Sequence, residues 1–168
     1  RVYPLALVRK MAQRIPGALS QLALRVSAWA QRQLAQRIDV VQQTPALAPR
    51  LAALQARLAT QSLPGPTGES NDLRLHGRGV FAVLAEGASA ADVAAATGAA
   101  LAAGNAVVLV GASLDLPETL RGLVVEVPTP AAAALLDHPA LAGACLVAGS
   151  DAEARGVLRR LADRAGPI

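Results

Sequence analysis

Apolar positions along the chain follow two rhythms, and the change comes near residue 63. Before it the spacing is helical. Leu19, Leu22, Val26 and Trp29 recur at three- and four-residue intervals, one stripe on a helix expected from about Ala18 to Arg37. Thr44 followed by Pro45 signals a cap and first turn. Leu47, Leu51, Leu54 and Leu58 then line one face of a second expected helix. Both stripes require burial, either against each other as a hairpin or across a neighbouring domain. Tyr3 and Trp29 are expected to be packing anchors, given the area such rings bury.

After Asn71 short apolar runs alternate with helical segments. "GVFAVLA" (79–85) predicts a buried strand. Ser89 with Asp92 predicts a cap for the Ala-rich helix that follows. Gly104-Asn105 predicts its left-handed end. "AVVLV" (106–110), "LVVEV" (123–127) and "GACLVAGS" (143–150) predict three more strands. Between them "PETLR" predicts a short helix, and "TPAAAALLD" one capped by Thr129 with Pro130 in first position. Ser150 or Asp151 caps a last helix, with Ala154, Val157, Leu158 and Leu161 inward. Gly166-Pro167 stops it, and Ile168 is expected to begin a fifth strand. Continuous apolar strands alternating with helices predict an α/β fold. The expected architecture is a Rossmann-like parallel sheet with flanking helices, preceded by a helical arm. The expected division is an arm over residues 1–62 and an α/β domain over 63–168.

Composition and charge narrow the function classes. Aromatic residues make up 2% of the 168 residues, which disfavours base stacking on nucleic acid. Residues 1–62 carry nine basic side chains against one acidic, and residues 63–168 carry seven against eleven. The arginines are spaced singly, so the arm reads as helices solvated by arginine or facing acidic protein surface, and no nucleic acid is expected as a partner. The opening "RVYPLALVRK" has no signal-peptide pattern and starts mid-pattern, as expected of a piece of a longer chain. Val93 to Leu114 is uncharged and long enough to span a bilayer. Its central Gly104-Asn105 and its Ala and Gly content supply little insertion energy, so a helix, turn and buried strand are expected instead.

The usual chemical devices are missing from the sequence. The turn after the first strand reads "AEGASAAD", without G-x-G-x-x-G, and G-x-x-x-x-G-K-[ST] does not occur. "LHGRG" (75–79) precedes a strand instead of joining strand to helix. His76 and His138 stand far apart with no ligand cluster, so no metal site is expected. Cys145, the one cysteine, is expected to be a buried, inert thiol. No catalytic and no cofactor-binding residue is assigned.

"LPGPTGESN" (63–71) is the densest Pro, Gly and small-polar stretch. Pro64, Gly65, Pro66 and Gly68 fix and reverse the backbone. Thr67, Glu69, Ser70 and Asn71 can satisfy backbone groups at a junction. Without the lysine and following helix of a phosphate loop, the peptide reads as a structural clasp, with a direct role in lining a cavity as the alternative.

Three stretches together resemble a known family. "LAAGNAVVLV" (101–110) is similar to the helix–turn–strand of the aldehyde dehydrogenase superfamily. "HPALAGACLVAGSDAEARGVLRRLADRAGPI" (138–168) resembles its later strand, Gly-Ser turn and helix. "LPGPTGESN" resembles the peptide just upstream of the C-terminal domain in long forms of proline utilization A. The resemblance covers about residues 62–168. It implies a bacterial, cytoplasmic, bifunctional parent, peripheral at the membrane during turnover, that oxidises proline to glutamate with FAD and NAD. The intermediate is channelled, and the C-terminal module is a non-catalytic lid that seals its cavity. It also implies that the ribose-holding turn of active relatives is replaced here by Val110-Gly111-Ala112-Ser113, and that Cys145 does not match the family nucleophile. The partners implied are the other domains of the parent, with a homo-oligomer left open. A stand-alone nucleotide-binding domain remains the alternative.

Overall fold

A computed structural model describes residues 5–32, 34–44, 47 and 58–164. Two helices come first, α1 (Leu5–Ala30) and α2 (Leu34–Gln42). A two-stranded antiparallel hairpin follows, β1 (Gln61–Leu63) and β2 (Asn71–Leu73). The remainder alternates: β3 (Val80–Leu84), α3 (Ala90–Ala102), β4 (Ala106–Val110), α4 (Glu118–Arg121), β5 (Val124–Val127), α5 (Ala132–Leu136), β6 (Leu141–Leu146) and α6 (Asp151–Ala162). Strands β3 to β6 form one parallel sheet in the order β5-β4-β3-β6. The expected α/β sheet with flanking helices is the observed fold.

The continuous apolar strands are explained by burial on both faces. Every residue of β4 is buried. On one face Val83, Val107, Leu109 and Val124 pack with Ile38 and Val41 of α2 and with Val93 and Leu101 of α3. On the other, Val80, Ala82, Val108 and Val110 pack with Ile15, Leu19, Leu22 and Val26 of α1 and with Leu135 of α5. The α1 stripe therefore lies across the sheet. Trp29 alone of that stripe joins the opposite core.

The end of α3 shows why both "AGN" and the early helices matter. Ser89 accepts from the Asp92 amide at its start. At its end Gly104 takes φ +88 and the Asn105 amide reaches back to Ala100 O, closing the helix as glycine permits. Asn105 Oδ1 accepts from the amides of Arg78 and Gly79, at 2.7 and 3.2 Å. It thus ties "LHGRG" to the turn. Gly77 lies so close to the Gly104 carbonyl that a Cβ would collide with it.

Four expectations change. The single helix foreseen from Ala18 to Arg37 is broken after Ala30, because the Arg37 guanidinium folds back to donate to Ala30 O and Arg32 O. Thr129 is no cap: Thr129–Ala131 is a 3-10 turn preceded by Pro128, with no side-chain cap bond. Leu158 points outward, 64% exposed, while Ala154, Val157 and Leu161 are half-buried. The paired strands around the clasp were not foreseen, being only three residues each. The expected roles of Tyr3, Pro45, Leu51, Leu54, Gly166, Pro167 and Ile168 lie outside the described residues; of that second stripe, Leu47 is buried and Leu58 half-buried.

Candidate functional site

The strand order reverses at β3. The chain passes outward through β4 to β5 and then returns to β6 on the other side of β3. Such a reversal opens a crevice at the carboxyl ends of the strands, where open α/β sheets take ligands. A cleft of about 510 Å³ lies there. Leu84, Val110 and Leu146 form its floor at three strand ends, Ala133 and Leu136 one wall, and Gly149, Glu153 and Val157 another.

The Gly-Ser turn foreseen before α6 borders this cleft, and its geometry decides what the helix start can offer. Gly149 has φ +148. Ser150 Oγ accepts from the Glu153 amide at 3.3 Å, and the Glu153 carboxylate accepts from the Ser150 amide at 2.6 Å and from Ser150 Oγ at 2.9 Å. This is a full capping box. Those bonds, the Ser150 amide first, hold the Glu153 carboxyl below the ordinary glutamate value. The positive end of α6, which would otherwise favour a phosphate, already holds a carboxylate of the chain itself. On the rim, Arg160 donates twice to Asp137, at 2.5 and 2.7 Å.

A second cavity of about 530 Å³ adjoins the turn after β4. Gly111, Ala112 and Ser113 line it together with Glu86, Glu126 and Thr129. Glu126 Oε1 accepts from the Leu114 amide at 2.8 Å. Reading the turn by itself missed these two glutamates. They come from the ends of other strands, and only the alternation of "LVVEV" hints at Glu126.

The clasp stands elsewhere. Leu63 to Asn71 closes the β1–β2 hairpin, and all nine residues are exposed. The Glu69 amide donates to Pro66 O at 3.1 Å, Gly68 takes φ +95, and a Cβ on Gly65 would meet Asn71 Nδ2. Pro64, Gly65, Pro66, Thr67, Gly68, Glu69 and Asn71 are absent from the lining of both cavities.

Cys145 differs from expectation. It lies on β6 as foreseen, but it is exposed, because β6 is at the sheet edge. Desolvation against its neighbours still pushes the thiol pKa up, the opposite of an activated nucleophile. Among the described residues no group of three or more His, Cys, Asp or Glu could hold a metal ion. No helix of the described residues is long and apolar enough to cross a membrane.

The chain resembles known proteins in its fold. It matches a proline utilization A mutant from Bradyrhizobium japonicum with a TM-score of 0.78 at 23% identity, over 94% of this chain and 21% of that one. The chain shares the fold of a part of proline utilization A and of a part of aldehyde dehydrogenases. An aldehyde dehydrogenase from Bacillus cereus, solved as its NAD+ complex, matches with a TM-score of 0.67 at 17% identity, over 94% and 43% of the two chains. An NAD-dependent benzaldehyde dehydrogenase from Corynebacterium glutamicum matches at 0.66 and 16%, over 94% and 45%. The chain therefore spans about a fifth of the length of the proline utilization A chains. No family model and no curated protein matches it.

Proposed function

We propose that this chain is part of a bifunctional proline-catabolising enzyme and forms a non-catalytic lid and assembly module that seals the cavity of the intermediate. Residues 1–62 are its helical connection and 63–168 its aldehyde-dehydrogenase-like domain. FAD and NAD belong to other domains of the parent, which are also its partners. The observation that carries this reading is the capping box at the switch point. The sheet and cleft of a dinucleotide domain are kept, yet the Glu153 carboxylate occupies the helix start where a pyrophosphate would sit. A carboxylate there repels a second anion. The turn Gly111-Ala112-Ser113 adds no charged side chain able to grip a ribose diol.

One observation favours the second reading, a nucleotide-binding domain. Glu86 and Glu126 border the cavity beside that turn, and carboxylates can accept from ribose hydroxyls. Isothermal titration with NAD separates the two. The lid reading expects no heat of binding at about millimolar ligand. A dissociation constant of a few micromolar would establish the second reading instead.

A further inference from the structure

Three charged side chains line the cleft at the switch point, Glu86, Glu153 and Arg160, and their commitments differ. Arg160 donates through Nε and Nη2 to the two oxygens of Asp137, so its charge is neutralised at the rim. Both hydrogen bonds from Ser150 fall on Glu153 Oε2, which leaves Oε1 without a partner among the described residues. Glu86 has no ion pair among them. The apolar floor of the cleft therefore lies beneath a net negative charge.

The room in the cleft has a source in the sequence. Gly156 stands in the middle of α6 and lines the cleft, and a Cβ built on it meets nothing within 4 Å. Glycine inside a helix costs about 1 kcal/mol relative to alanine, and no close approach requires it at this position. Its effect is to keep the α6 wall free of a side chain. On the α5 wall stand Ala132 and Ala133, also small. The resulting volume, about 510 Å³, is of the size that small-molecule sites occupy.

We infer that this cleft binds a small organic cation with an apolar body. The body lies on Leu84, Val110 and Leu146 in the space that Gly156 leaves open, and the charged end lies toward Glu86 and Glu153. Seating the body removes apolar surface from water. The cation at the same time compensates the two carboxylates. An anion of the same shape gains the first effect and is opposed by the second. This goes beyond the lid reading, which requires only that a dinucleotide be kept out.

The test uses three probes of one shape, phenylbutylammonium, phenylbutanol and phenylbutanoate, titrated against the full chain by ligand-observed NMR. At low salt the ammonium is expected to bind at least about threefold more tightly than the alcohol and about tenfold more tightly than the carboxylate, and the preference should shrink as salt rises. Glu86→Gln should narrow the gap between ammonium and alcohol and leave the alcohol unchanged. Gly156→Leu fills the cleft with a good helix former and should weaken all three probes, with thermal melting showing the chain still folded. Equal binding of ammonium and carboxylate would overturn the inference. So would binding that survives Gly156→Leu, or no binding of the ammonium at about 10 mM. NAD takes no part in this series, so the lid reading and this inference fail separately.

Discussion

Trp29 Nε1 donates to the carbonyl oxygen of Leu101 at 2.8 Å, joining the last turn of α1 to the last turn of α3 across 72 residues. The bond is buried, and its carbonyl also accepts from the Gly104 amide at 2.9 Å, so the indole N–H gains a partner without water. Trp29→Phe keeps most of the ring volume and removes the donor. It is expected to cost about 0.5–1.5 kcal/mol, measured as a shift of the urea midpoint with the slope unchanged. No shift would mean that the Gly104 amide alone satisfies the carbonyl and the indole bond adds nothing net.

Arg37 completes the same helix end. It is buried, and its guanidinium donates to Ala102 O at 3.1 Å as well as to Ala30 O and Arg32 O. It bridges the ends of α1 and α3. Arg37→Met should destabilise by more than about 2 kcal/mol, since several carbonyls lose a charged donor at once. Arg37→Lys should restore only part of this, because an ammonium lacks the planar fork. Thermal unfolding of the three proteins orders them; equal melting of Arg37→Met and wild type would refute the bridge.

Two glycines should respond in opposite directions. Gly17 lies within α1 with nothing within 4 Å of a built Cβ, so Gly17→Ala should add up to about 1 kcal/mol of stability. Gly77→Ala should lose at least roughly 1–3 kcal/mol, because the new methyl meets the rigid carbonyl of Gly104. Paired denaturation curves check the opposite signs.

Glu153 carries a pH signature. Its carboxyl titrates below the ordinary glutamate value in the folded chain. The unfolded state therefore takes up its proton first as the pH falls. The stability it contributes is complete above the ordinary value and is lost as pH drops through the lower folded one. Carboxyl NMR should find a midpoint below that of a model glutamate. Glu153→Gln should flatten this part of the stability profile; an unchanged profile would show the capping box to be energetically silent.

The clasp prediction concerns the parent enzyme proposed above. Gly68 takes φ +95, so Gly68→Val strains the turn, and Glu69→Ala removes an exposed acceptor. Both should leave proline oxidation and NAD-dependent oxidation of added semialdehyde nearly intact. Both should lengthen the lag before NADH forms from proline. Collapse of an isolated half-reaction in a folded protein, without a longer lag, would assign the loop to an active site.

The sequence by itself determined the alternation of strands and helices after Gly79. Local signals sufficed there: apolar runs such as "AVVLV", the Ser89 cap, the Gly104-Asn105 stop and the Ser150 cap each act within a few residues. It also determined the buried stripe from Leu19 to Trp29, since helical period alone places those side chains on one face. Tertiary structure decided where that stripe goes. Arg37 ends α1 early by reaching carbonyls five and seven residues back, and Trp29 crosses to the other core to cap α3. It decided that Leu158 and Cys145 stand outside, because strand order puts β6 at an edge, and order is a long-range property that no local pattern encodes. It also gathered Glu86, Glu126 and Glu153 around the switch point. They lie at the ends of three separate segments, and only the parallel pairing of β3, β4, β5 and β6 brings those ends to one side of the sheet.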